Sequence, residues 1–138
     1  MMKIYFAGSI RGGRNDKEVY LEIIKHLRKY GEVLSEHIGD PNLTEFGEEN
    51  ISDERIYERD LSFIKEADVI VVDVSTPSLG VGYEIAKAEE LNKKVICLYR
   101  NQKGKRLSAM IAGNHNLRIK EYENLEEAIG LIDDFFRK

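Results

Sequence analysis

Tryptophan is absent from this chain, cysteine occurs once and proline twice in 138 residues. The lone thiol, Cys97, excludes a disulfide within the chain, and its setting in Val95-Ile96-Cys97-Leu98-Tyr99 reads as a buried, inert side chain. No His/Cys cluster has metal-ligand spacing, so neither a metal nor another cofactor is expected. No segment approaches the ~20 consecutive apolar residues of a membrane span. The apolar start, Met1-Met2-Lys3-Ile4-Tyr5-Phe6, is too short for a signal peptide. A cytoplasmic protein without a membrane partner is the expectation. Basic blocks are missing too: 21 Lys and Arg face 25 Asp and Glu, a net charge of −4, which argues against a nucleic-acid groove. Repeats, linkers and low-complexity tracts are absent. Residues 1–138 therefore read as one domain, long enough to bury about two-thirds of its unfolded surface.

What is present is an alternation of strand and helix patterns. Lys3–Ala7 reads as a strand ending at Gly8. Val19, Tyr20, Ile23, Ile24, Leu27 and Tyr30 recur at helical spacing, from a cap at Asn15 or Asp16 to a stop at Gly31. Glu32-Val33-Leu34 is a brief second strand. Ser35 to about Asp53 shows no period, as a functional loop would. Glu54–Glu66 is helical, with Ile56, Tyr57, Leu61 and Ile64 inward. Asp68–Val74 is a continuous run of β-branched residues, the mark of a central parallel strand. A helix follows from about Val81 to Asn92, packing Val81, Ile85, Ala88 and Leu91, then a strand at Lys94–Tyr99. A short helix near Leu107–Ala112, an edge strand at Leu117–Glu121 and a final helix at Leu125–Phe136 complete the chain. This alternation predicts an α/β fold of the flavodoxin/Rossmann-like kind: a five-stranded parallel sheet in the order 2-1-3-4-5 with helices on both faces.

The chemistry concentrates at predicted strand ends. Ser78-Leu79-Gly80-Val81-Gly82-Tyr83-Glu84 places a hydroxyl, turn glycines and a carboxylate between a strand and a helix, where open α/β sheets hold ligands. The positive end of that helix predicts an ionised Glu84. Glu84 falls on the apolar stripe of its helix, and Asp60 falls on the stripe of another, beside Ile56 and Leu61. Buried unpaired acids are costly, so two of them invite a functional reading, although a dipole partner and a core hydrogen bond are the plain alternatives. Gly8-Ser9-Ile10-Arg11-Gly12-Gly13-Arg14, after the first strand, supplies backbone N–H groups, a hydroxyl and two guanidinium groups. That suits a phosphate, though it is neither a Walker loop nor a dinucleotide fingerprint. Tyr5 could reach the sheet edge or pack in the core. His37 could meet a ligand, and Ser108 could cap a short helix or donate to an anion.

Taken together, Tyr5-Phe6-Ala7-Gly8-Ser9-Ile10-Arg11-Gly12-Gly13-Arg14, Glu36-His37, Glu58-Arg59-Asp60-Leu61, Pro77-Ser78-Leu79-Gly80-Val81-Gly82-Tyr83-Glu84 and Leu107-Ser108-Ala109-Met110-Ile111 resemble the 2′-deoxynucleoside 5′-monophosphate N-glycosidases. These form the Rcl-type branch of the nucleoside 2-deoxyribosyltransferase superfamily. The resemblance implies hydrolysis of a deoxynucleotide to free base and 2-deoxyribose 5-phosphate. It implies Glu84 as nucleophile through a covalent deoxyribosyl ester, Asp60 in proton traffic at the leaving base, and Tyr5 orienting the glutamate. It implies that Gly8, Ser9, Ile10, Arg11 and Gly12 hold substrate together with Ser78 and Gly80, and that His37 lies near the base. Ser108, and Met110 beside it, belong to the same binding set, with Ser108 coming from the second subunit of a homodimer.

The chemistry is consistent with that expectation. Cleavage passes through an oxocarbenium-like state, and retaining hydrolysis uses one ionised and one proton-donating carboxyl about 5 Å apart. A nucleoside 2-deoxyribosyltransferase, passing the sugar to a second base, is the nearest alternative; the arginine-bearing first loop argues against it, because a nucleoside has no phosphate. A non-catalytic nucleotide-binding protein is the other, and gains nothing from two inward acids.

Overall fold

The computed structural model describes residues 1–10, 17–35 and 50–137. Five strands, β1 (Lys3–Ala7), β2 (Glu32–Val33), β3 (Val69–Asp73), β4 (Lys94–Arg100) and β5 (Arg118–Tyr122), alternate with five helices. These are α1 (Lys17–Leu27), α2 (Asp53–Glu66), α3 (Leu79–Glu90), α4 (Ala109–Ala112) and α5 (Leu125–Arg137). The strands form one parallel sheet in the order β2-β1-β3-β4-β5, as the sequence predicts. Ile4 pairs with Val33 on one side and Val69 on the other, and Arg100 at the end of β4 lies opposite Tyr122.

Strand parity divides the core into two layers. Ile4, Phe6, Val69, Val71, Ile96 and Leu98 face α1 and α5, while Tyr5, Ala7, Ile70, Val72, Val95 and Cys97 face α2 and α3. Each inner strand is thus apolar on both faces, which is why it reads as an unbroken hydrophobic run. Parity also puts the Tyr5 side chain in the layer of the two helices that bear Asp60 and Glu84. On the opposite layer His26 Nε2 lies 2.6 Å from Asp133 Oδ1, and the Tyr30 hydroxyl donates to the same carboxylate while its ring stacks on Phe136. His26, which carries no pattern in the sequence, therefore ties α1 to α5.

Some details differ from expectation. The first helix ends at Leu27 rather than Tyr30, and residues 28–30 continue as turns. Gly31 does not supply a left-handed stop; Gly104 is the one glycine with positive φ among the described residues. Gly31 is required instead because a Cβ there would stand 2.2 Å from the Met2 carbonyl oxygen. Leu91 caps α3 and is partly exposed, and Tyr57 turns to solvent from the end of α2 that lies beside α3. The short helix begins at Ala109, with Ser108 as its cap. Most of the expected loop, residues 36–49, lies outside the described residues, as do Arg11, Gly12 and His37.

Candidate active site

The site is assembled at the C-terminal edge of the sheet by β1, α2 and α3. Ser78 starts α3: its hydroxyl accepts from the Val81 N–H at 3.3 Å. Small residues Gly80 and Gly82 keep the first turn slim, and Glu84 follows in the second turn. The Tyr5 hydroxyl rises from β1 and donates to Glu84 Oε2. Both alternatives for Tyr5 therefore hold at once, since its ring is fully buried in the core. Asp60 reaches the same place from α2, with Arg59 Nε 3.0 Å from its Oδ1. Asp60 and Glu84 line a cleft of about 460 Å³ between α2 and α3, together with Tyr57 and Tyr83, whose hydroxyls are 3.4 Å apart.

That cleft opens onto a trough of about 1400 Å³, which shares Asp60, Gly80 and Glu84 with it. Gly8, Ile10, Ser78, Ser108 and Met110 also line the trough. Ser9 sits between two lining residues without lining it itself. Its backbone N–H donates to the Tyr20 hydroxyl at 3.0 Å, and its own buried Oγ finds no partner among the described residues. A buried hydroxyl left in that state is a group waiting for an acceptor. Ser108 caps α4 through the Met110 N–H at 3.3 Å, the plainer of its two expected roles, while remaining exposed at the trough wall. The structure thus brings together Tyr5, Asp60 and Glu84, and separately Gly8, Ile10, Ser78, Gly80, Ser108 and Met110 around one depression.

Electrostatics correct one expectation. Glu84 is not held ionised by the helix: its carboxyl is pushed up from 4.5 to about 7. Burial is the largest cause; the Tyr5 hydrogen bond opposes it, the nearby Asp60 charge adds to it, and Arg59 lowers it. The helix end fails to compensate because its field fades beyond the first turn, and Glu84 is the sixth residue of α3. Burial, then the charges of Glu84 and Asp60, raise the Tyr5 phenol well above 10, so it remains a donor at neutral pH. Burial likewise pushes Cys97 up to about 12, which leaves it an unreactive thiol.

Sequence reasoning missed several contributors. Arg59, adjacent to Asp60, had a signal in its position alone. The Tyr57–Tyr83 pair had one in the aromatic next to Glu84, but Tyr57 reads as core by periodicity. Lys105 and Arg106 also line the trough.

Comparisons with known proteins bear on the family and the fold. The family described as nucleoside 2-deoxyribosyltransferase matches residues 4–125. A protein of Esox lucius named 5-hydroxymethyl-dUMP N-hydrolase is 43% identical, over 99% of this chain and 97% of its own. The human protein of the same name is 44% identical, over 96% of this chain and 78% of its own. Among solved structures, a CMP N-glycosidase of Clostridium botulinum superposes with a TM-score of 0.69 at 21% identity, covering 95% of this chain and 98% of that one, which bears on the fold. The parallel sheet, the acids at its edge and the match over most of the sequence lead to one conclusion: this chain belongs to the nucleoside 2-deoxyribosyltransferase family.

Proposed function

We propose that this chain, an N-glycosidase, hydrolyses 2′-deoxynucleoside 5′-monophosphates to free base and 2-deoxyribose 5-phosphate. The observation that carries the reading is the Tyr5 hydroxyl donating to Glu84 at the wall of a cleft that also contains Asp60. In the first step a Glu84 oxygen bonds to C1′ as the C1′–N bond breaks. The electron pair leaves with the base, which takes a proton delivered by way of Asp60. In the second step water attacks C1′ and gives its proton to Asp60, while the bond between C1′ and the Glu84 oxygen breaks and frees the carboxylate. Tyr5 orients Glu84 throughout. A 2-deoxy sugar has no electron-withdrawing 2-hydroxyl, so positive charge at C1′ forms readily.

Anchoring at the far end of the sugar supports this chemistry by holding C1′ against Glu84. The orphan Ser9 hydroxyl, the Gly8–Ile10 backbone, Ser78 and Gly80 suit a phosphate, and Arg11 and Gly12 extend the same motif. His37 is assigned to the base side. The chain acts as a homodimer in which Ser108 of the second copy adds to the trough of the first, beside the first copy's own lining. Support comes from the exposure of Leu79 (98%) and Met110 (83%), two large apolar side chains beside the site. The relatives named above act on 5-hydroxymethyl-dUMP by name, and a monophosphate of that kind is the substrate class assigned here.

Incubation with each deoxynucleoside monophosphate, the corresponding ribonucleotides and the unphosphorylated deoxynucleosides, with and without a free acceptor base, tests the reading. Free base from deoxynucleotides alone, independent of acceptor, is expected. Release that requires an acceptor would establish transfer instead, and binding without release would end the enzymatic reading.

A further inference from the structure

One buried carboxylate takes no part in the chemistry above. Asp73 ends β3 with no exposed surface, in the layer opposite Glu84. Its Oδ2 accepts from the Tyr122 hydroxyl of β5 at 2.6 Å, and its Oδ1 accepts from the Ser75 N–H at 2.9 Å. Ser75 Oγ in turn accepts from the Arg100 N–H at 2.9 Å and lies 3.5 Å from the Tyr122 hydroxyl. Tyr122 is itself fully buried.

A core of apolar residues would hold these strands together without such a network, and burying a carboxylate is expensive unless it is well bonded. The reason for keeping it lies in what the chain does next. Residue 75 is three residues before Ser78, the cap of the helix that bears Glu84, and Ser75 and Thr76 line the trough. Arg100 is the last residue of β4, at the start of the turn that leads to Lys105, Arg106 and Ser108 on the same trough. The Ser75–Arg100 hydrogen bond ties the two turns at their roots, and Asp73 and Tyr122 fix Ser75.

We propose that Asp73 and Tyr122 are positioning residues for the substrate's phosphate, setting through Ser75 the placement of the turn that presents Ser78. This rests on the reading of the trough as a monophosphate site. Neither residue touches substrate. The device is rigid because the bonds are buried and mutually supporting, so water cannot replace a lost member.

Tyr122→Phe and Ser75→Ala are the test variants, and Asp73→Asn is the conservative control, since an amide keeps an acceptor for the Ser75 N–H and can donate to the Tyr122 oxygen. The assays are kcat and KM for a deoxynucleoside monophosphate, calorimetric affinity for 2-deoxyribose 5-phosphate, and the pH midpoint of kcat/KM. Tyr122→Phe and Ser75→Ala should each raise KM and weaken 2-deoxyribose 5-phosphate about tenfold, the scale of one charged hydrogen bond, with kcat within about threefold. The pH midpoint should stay in place, and Asp73→Asn should bind nearly as wild type. Lower thermal stability with unchanged sugar-phosphate affinity would overturn the proposal and leave the network a structural brace. If Tyr122→Phe does not fold, Ser75→Ala decides alone. If wild type binds 2-deoxyribose 5-phosphate and the variants lose it, but no base is ever released, the hydrolase reading fails while the positioning role stands.

Discussion

Replacing Glu84 with glutamine should stabilise the protein, by an amount that grows as pH rises from 5 to 8. The carboxyl has a folded-state pKa of about 7 against 4.5 in the unfolded chain. Between those values the unfolded chain gives up its proton and the folded one keeps it, so wild-type stability falls as pH rises through the window and levels off above about 7. From the two values the linked penalty is about 1 kcal/mol at pH 5 and about 3 kcal/mol at pH 8. Glutamine copies the neutral acid in shape and still accepts from the Tyr5 hydroxyl, so Glu84→Gln escapes the penalty without opening a cavity. Thermal unfolding of both proteins across pH 5 to 8 should show a gap of about 3 °C at the acid end that widens to roughly 10 °C at the alkaline end. Base release should be lost in the variant throughout, while wild-type kcat/KM climbs through about pH 7. A stability gap that is the same at both pH values, or a variant less stable at pH 8, would show that burial does not hold the proton on Glu84.

Three further expectations concern other parts of the molecule. Tyr5→Phe removes the hydrogen bond that lowers the Glu84 pKa, so the rising limb of the rate profile should move to higher pH and base release at pH 7 should drop by about tenfold or more; an unmoved limb would disconnect Tyr5 from the acid. Gly8→Ala places a Cβ 2.6 Å from Tyr20 Cζ, and moving that buried ring also displaces the hydroxyl that anchors the Ser9 N–H. A stability loss of about 1–3 kcal/mol with weaker monophosphate binding should follow, measurable by denaturant titration and calorimetry. Asp133 is held below 3.8, first by the Tyr30 hydrogen bond and then by His26, and so contributes stability that is complete above 3.8 and lost as pH falls through its lowered value. Asp133→Asn should therefore lower the melting temperature at pH 7 but not in strong acid, with base release unaffected.

The fold was legible because parallel sheets write themselves plainly. The unbroken run Val69–Asp73 and the helical stripes on either side leave few arrangements, and short right-handed crossovers select 2-1-3-4-5. Glu84 and Asp60 were legible for a related reason, as acids on apolar stripes. What periodicity could not supply is the state of those acids: a helix start argues for charge, burial argues against it, and only the position of Glu84 beyond the first turn settles which wins. Tyr57 fits the inner stripe by spacing, but it stands where α2 meets the cleft rather than the sheet. Gly31 looks like a helix stop in sequence, because the Met2 carbonyl it must clear lies 29 residues away in the chain. Asp73 and Tyr122 meet only after β5 is laid beside β4, a pairing no local pattern announces.

The same electrostatics constrain how the two acids divide their work. Arg59 stands 3.0 Å from Asp60, whereas the hydrogen bond to Glu84 comes from a neutral phenol. In the ligand-free protein burial holds the Glu84 carboxyl up to about 7, with the Tyr5 hydrogen bond only partly offsetting it. In the proposed mechanism, formation of a glycosyl ester requires Glu84 as the anion. The missing stabilisation comes from the sugar, since positive charge growing at C1′ attracts that carboxylate in proportion to how far the bond to the base has broken. An anion that is poorly stabilised at rest and strongly stabilised only as the cation forms lowers the barrier by the difference. A carboxylate paired with arginine would already be stabilised at rest and would gain less as the cation forms. That would be the physical sense in burying the proposed nucleophile against a tyrosine and placing the guanidinium beside its neighbour. On that mechanism it is the phosphate end of the substrate that holds C1′ in place.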